Sequence, residues 1–121
     1  MNTNDLAAAL RACAAGLCPV EAGVALLISN GTFLHRDDFT SRFISHGTSG
    51  TTPLAAIDWD VAITALNSGE LSCSGEHRIL QLSASLAAGI AADLRDVITG
   101  LANANAALLA TAIWHATGHR A

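Results

Sequence analysis

Alanine occupies 25 of the 121 positions, mostly between larger apolar residues that recur every three or four places. It is the best helix former because it has no side-chain rotamers to order. A chain built this way is driven towards helices, and alanine-lined faces let helix axes approach to about 8 Å. Burying an alanine removes little apolar area from water, however, and only 37 residues are hydrophobic without being alanine. Charged residues make up 13% of the chain, against about 25% in an average soluble domain. Ionised groups are too few to coat the exterior, so either the surface is mostly alanine, serine, threonine and asparagine or an apolar face is covered by a second chain, and self-association is the natural expectation.

Helical periodicity runs through the sequence. Leu6, Leu10, Cys13 and Leu17 form one apolar stripe, with Asn4 or Thr3 as its cap and Gly16 at its end. Pro19 and Glu21 suit the opening of a second helix, which carries Val20, Val24, Leu27 and Ile28 and stops at Asn30-Gly31. Two helices so closely joined predict an antiparallel hairpin. A shorter helix over Asp37–Ser45 places Phe39 and Phe43 on one face and lets Asp38 pair with Arg42 on the other. Asp58 caps a helix bearing Trp59, Ala62, Ile63 and Leu66, closed by Asn67-Ser68-Gly69. The hydroxyls of Ser72 and Ser74 precede one bearing Ile79, Leu82 and Leu86, ended by Gly89. Asp93 caps a short helix with Leu94, Val97 and Ile98, ended by Gly100. The last runs from Asn103 to Gly118, with Leu109, Ala112, Ile113 and Ala116 inward.

The run His46–Pro53 reads as a crossover loop within a single domain, 1–121. No segment alternates with period two, so no sheet is expected. The predicted class is all-α: a compact bundle of about seven short-to-medium helices that starts with an antiparallel helical hairpin.

The sequence contains no lysine, which excludes a Walker A phosphate loop, a Schiff base and a pyridoxal-phosphate carrier lysine. Its basic residues are six arginines, and the net charge is -4, a balance that argues against nucleic acid as the main partner. Leu6–Ile28 is the most membrane-like stretch, but Arg11, Gly16, Pro19 and Glu21 interrupt it, so two helices are expected there and no membrane span. Cys13, Cys18 and Cys73 form an odd set without a C-x-x-C pair, which fits a reducing cytoplasm better than a secreted disulfide framework.

Several constellations carry possible chemistry. Cys73 at a helix start, four residues before His77, has the arrangement of a lowered-pKa thiolate for a small enzyme or thiol sensor. The surrounding string Leu71–Arg78 resembles the L-S-G-G-E/Q signature of ATP-binding-cassette ATPases, which implies an anion contact at a helix N-terminus. It lacks one glycine and carries an inserted cysteine, so a helix cap is the simpler reading. His115 and His119 have the i, i+4 spacing of a zinc-binding helix without the glutamate of H-E-x-x-H, and His115 in a last turn also suits the helix dipole. His35, Asp37, Asp38 and His46 are chemically suitable metal ligands without a spacing motif. The close carboxylates are Asp37/Asp38, Asp58/Asp60 and Asp93/Asp96, of which Asp58 and Asp93 are more simply N-caps. The last two helices have the outline of a helix-turn-helix DNA-binding regulator, with Asn105, Thr111, His115 and Arg120 available to nucleic acid.

The strings R-D-D-F at Arg36–Phe39, A-I-D-W at Ala56–Trp59, L-R-D-V-I-T-G-L at Leu94–Leu101 and H-A-T-G-H at His115–His119 resemble small uncharacterised all-α proteins of high-GC Gram-positive bacteria. The resemblance implies a helical fold and brings no activity, ligand or catalytic residue. The expected function is a cytoplasmic helical interaction or regulatory module that self-associates or docks a protein partner, with no cofactor.

Overall fold

Asn2, rather than Thr3 or Asn4, caps the first helix: its Oδ1 accepts the Asp5 N–H at 2.8 Å. The computed structural model describes residues 2–71 and 76–118. It is mainly helical, with 67% of the described residues in helices. The helices are α1 (Thr3–Ala14), α2 (Cys18–Asn30), α3 (Asp37–Phe43), α4 (Trp59–Ser68), α5 (His77–Ala88), α6 (Leu94–Ile98) and α7 (Asn103–Ala116), with a 3-10 turn at Phe33–His35. Asp58 and Asp93 are side-chain caps as expected, accepting the N–H groups of Val61 and Asp96. Gly31, Gly69 and Gly89 end α2, α4 and α5 in the left-handed conformation, which glycine adopts without a Cβ penalty.

The expected absence of a sheet is overturned. The segment read as a crossover loop belongs to an antiparallel hairpin of β1 (Ile44–Ser49) and β2 (Thr52–Ile57), with Ile44 opposite Ile57 and Ser49 opposite Thr52. Gly50 at φ 61° supplies the left-handed first position of a two-residue turn. The hairpin has no period-two signature because β1 buries Ile44 alone, and β2 buries Ala55 and Ile57. An alternation carried partly by alanine looks the same as helical sequence. The Asp58 N–H extends the ladder to the Phe43 carbonyl at 2.7 Å.

Within α1, Leu6, Ala7, Ala9, Leu10 and Ala14 are buried. Cys13 and Leu17 leave the expected stripe: Cys13 is exposed, and Leu17 lies past the end of the helix and is 59% exposed. The packing of α1 is more extensive on β2 than on α2.

The principal neighbours of α2 are α5 and α7, and it runs antiparallel to both. Asn30, its last residue, bonds to Glu76 just before α5 and to Asn105 in the first turn of α7. One end earlier, Gly23 meets Ser83 and Ala87 of α5, while Glu21 meets His115 in the last turn of α7.

One cluster of buried residues draws on every helix and both strands. Phe33, Phe39 and Phe43, the three phenylalanines of the chain, pack through it as tilted pairs with ring centroids 5.0 and 5.4 Å apart. The expected Asp38–Arg42 pair is replaced. Asp38 pairs with Arg36 at 2.6 Å, and Arg42 reaches Glu70 at 3.3 Å while lying over the Phe43 ring. Leu94, Ile98 and Ile113, expected on apolar faces, are exposed. On α6 and α7 the inward positions are held by Val97, Leu109 and Ala112.

Candidate functional site

Polar side chains pin α2 to α7 at both ends. At the Asn30 end, the Nδ2 group donates to Glu76 Oε2 at 2.7 Å and to Asn105 Oδ1 at 3.0 Å. Asn30 Oδ1 accepts the Thr32 N–H at 3.4 Å. One amide thereby joins α2, α5 and α7 and the chain that follows it. In sequence Asn30 reads only as a helix stop.

At the other end, His115 Nε2 lies 3.0 Å from Glu21 Oε1. Both groups are largely withdrawn from water, at 27% and 14% side-chain exposure. Glu21 Oε2 accepts the Gly16 N–H at 3.0 Å, so the carboxylate also ties down the α1–α2 connection. Glu21 sits where an acid suits a helix N-terminus and His115 where a histidine suits a C-terminus. Local logic placed each correctly, but nothing local could pair two residues 94 positions apart.

Beside this pair lies a cleft of ≈ 190 Å³, lined by Arg11 of α1, by Glu21, Val24 and Ala25 of α2, and by His115 of α7. It joins three separate elements. Arg11, which in sequence only interrupts an apolar run, forms no hydrogen bond or ion pair with a described residue.

The outer side of α7 is the other unusual surface. The helix contains no Asp, Glu, Lys or Arg. Its outward residues include Asn103, Ala106, Ala110 and Ile113, spaced three, four and three apart as in the seam of a coiled coil. Trp114 beside them is 58% exposed and Ile113 45%.

The sequence-derived candidates fare differently. Cys73 lies outside the described residues, while His77 opens α5. His119 and Arg120 also lie outside them, and His115 is engaged with Glu21. The positions Ser72–Gly75 of the string resembling the ATPase signature are likewise outside. Among the described residues no three His, Cys, Asp or Glu side chains gather as metal ligands, so His35, Asp37, Asp38 and His46 are not brought together. Of the side chains offered to DNA, Asn105 bonds to Asn30, His115 to Glu21, and Thr111 to the Ala107 carbonyl of its own helix. The first two face α2. Among the described residues no helix is long and apolar enough to cross a membrane.

In comparisons with known proteins, no family model, curated protein or solved structure matches this chain.

Proposed function

We propose that this chain is a helical protein-interaction module that self-associates, with the outer side of α7 as the surface on which a second copy docks. The observation that carries this reading is a contrast between two helices. Both α2 and α7 are apolar around most of their circumference, a composition that belongs to a buried helix. Five of the residues of α2 are buried, with α5 and α7 its chief neighbours. In α7 only Leu109 and Ala112 are buried.

A second copy suits this face because it is uncharged. Two identical charged faces would repel, whereas an uncharged face of alanine, isoleucine and tryptophan, interspersed with Asn103 and Thr111, matches itself. Ala106 and Ala110 are small enough for the two helix axes to approach closely. Fourteen residues make a helix of about 21 Å, which offers less than the roughly 800 Å² per partner of a stable complex. The expected dimer is therefore weak and dependent on concentration.

The supporting scaffold is read as a compact bundle that opens with an antiparallel α1–α2 pair, since Arg11 shares a cleft with Glu21, Val24 and Ala25. The odd set of three cysteines favours a cytoplasmic setting.

Sedimentation velocity over a wide concentration range tests the proposal. The wild-type chain should shift from monomer to dimer, and Ile113→Glu or Trp114→Glu should hold it monomeric with an unchanged helical circular-dichroism spectrum. A wild type that stays monomeric throughout, or a dimer indifferent to both replacements, would reject it.

A further inference from the structure

The cleft beside Glu21 and His115 has a wall chemistry that selects a class of ligand. Its ≈ 190 Å³ lies below the roughly 300–1,000 Å³ of pockets that hold drug-sized ligands, so it suits a molecule of a few heavy atoms. Val24 and Ala25 supply apolar surface. Among the described residues the Glu21 carboxylate and the Arg11 guanidinium stand on its walls beside the His115 imidazole, and the first two differ in how far they are satisfied. The Glu21 carboxylate is engaged through both oxygens, with His115 and with the Gly16 N–H. The Arg11 guanidinium meets no acceptor among the described residues.

A guanidinium is a planar fork of N–H donors whose best match is a carboxylate or phosphate bound through two parallel hydrogen bonds. Glu21 on the same wall decides between them, because a dianion would meet a like charge there more strongly than a monoanion would. A cation is disfavoured by Arg11 itself, and the carboxylate that would attract it already has partners.

We infer that this cleft binds a small aliphatic monocarboxylate, with the carboxylate on Arg11 and the alkyl chain against Val24 and Ala25. The site does not depend on the α7 dimer, because its lining residues come from α1, from α2 and from the α2-facing side of α7.

Butyrate serves as the probe in an amide chemical-shift titration of the full chain, with butylammonium and inorganic phosphate titrated separately. Butyrate should produce saturable shifts centred on Arg11, Ala25 and His115. Arg11→Gln, a change at an exposed position, should keep the dispersed spectrum and weaken butyrate by about tenfold or more. Ala25→Leu should fill the cleft and remove the response. The inference is overturned by an absence of saturable shifts, by equal affinity in Arg11→Gln, or by tighter binding of phosphate or butylammonium.

Discussion

Gly23 lets α2 press against the Ser83 carbonyl of α5: a Cβ at Gly23 would stand 2.5 Å from that oxygen and 2.7 Å from the Ala87 Cβ. The obstruction is largely backbone, which cannot swing aside as a long side chain would. Gly23→Ala gains about 1 kcal/mol of helix propensity but must force the two helices apart. A net loss of about 1–3 kcal/mol is expected, read from the midpoint of urea unfolding. An unchanged or raised midpoint would show that the crossing is looser than described.

Ser83 itself is fully buried, and its Oγ has no hydrogen-bond partner among the described residues. A buried hydroxyl without a partner costs about 1–3 kcal/mol of desolvation. Ser83→Ala should therefore raise thermal stability, by about 1 kcal/mol once the small lost volume is allowed for. A clear destabilisation would mean that the hydroxyl has a partner in solution.

Asn30 is the polar junction of α2, α5 and α7. Asn30→Ala removes both donors and should cost about 1–2 kcal/mol. Asn30 and Asn105 touch, so the two alanine variants should be non-additive by at least about 0.5 kcal/mol in a double-mutant cycle. Strict additivity would remove Asn105 from the junction.

The Arg36 guanidinium bonded to Asp38 holds that carboxyl below its ordinary range, and the hydrogen bond is the largest cause. The stabilisation this pair contributes is present above the ordinary aspartate range and is lost as pH falls through the depressed folded value. Carboxyl-detected NMR should find Asp38 titrating lower than a free aspartate, and Arg36→Gln should return it upward. Identical titration curves in the two proteins would show that the pair does not persist.

Leu10 and Leu17 belong to one stripe by spacing, yet Leu10 is 1% exposed and Leu17 59%. Leu10→Ala should cost about 2–5 kcal/mol, whereas Leu17→Ala should fall within about 0.5 kcal/mol of wild type. Similar losses at both positions would restore the stripe and contradict the end of α1 at Ala14.

The sequence by itself determined the seven helical segments and most of their boundaries. Capping by Asp58 and Asp93, and termination at Gly31, Gly69 and Gly89, depend on hydrogen bonds and backbone angles within about four residues. Local sequence contains that information. The β1–β2 hairpin, the inward residues of α7 and the pairing of Glu21 with His115 were decided by tertiary packing. Alanine is small enough to serve on a strand, inside a helix contact or on an open face, so its pattern does not say which side will be covered. The candidate cleft exists because α1, α2 and α7 converge on Glu21. Residues so distant in the chain meet only after the helices have packed.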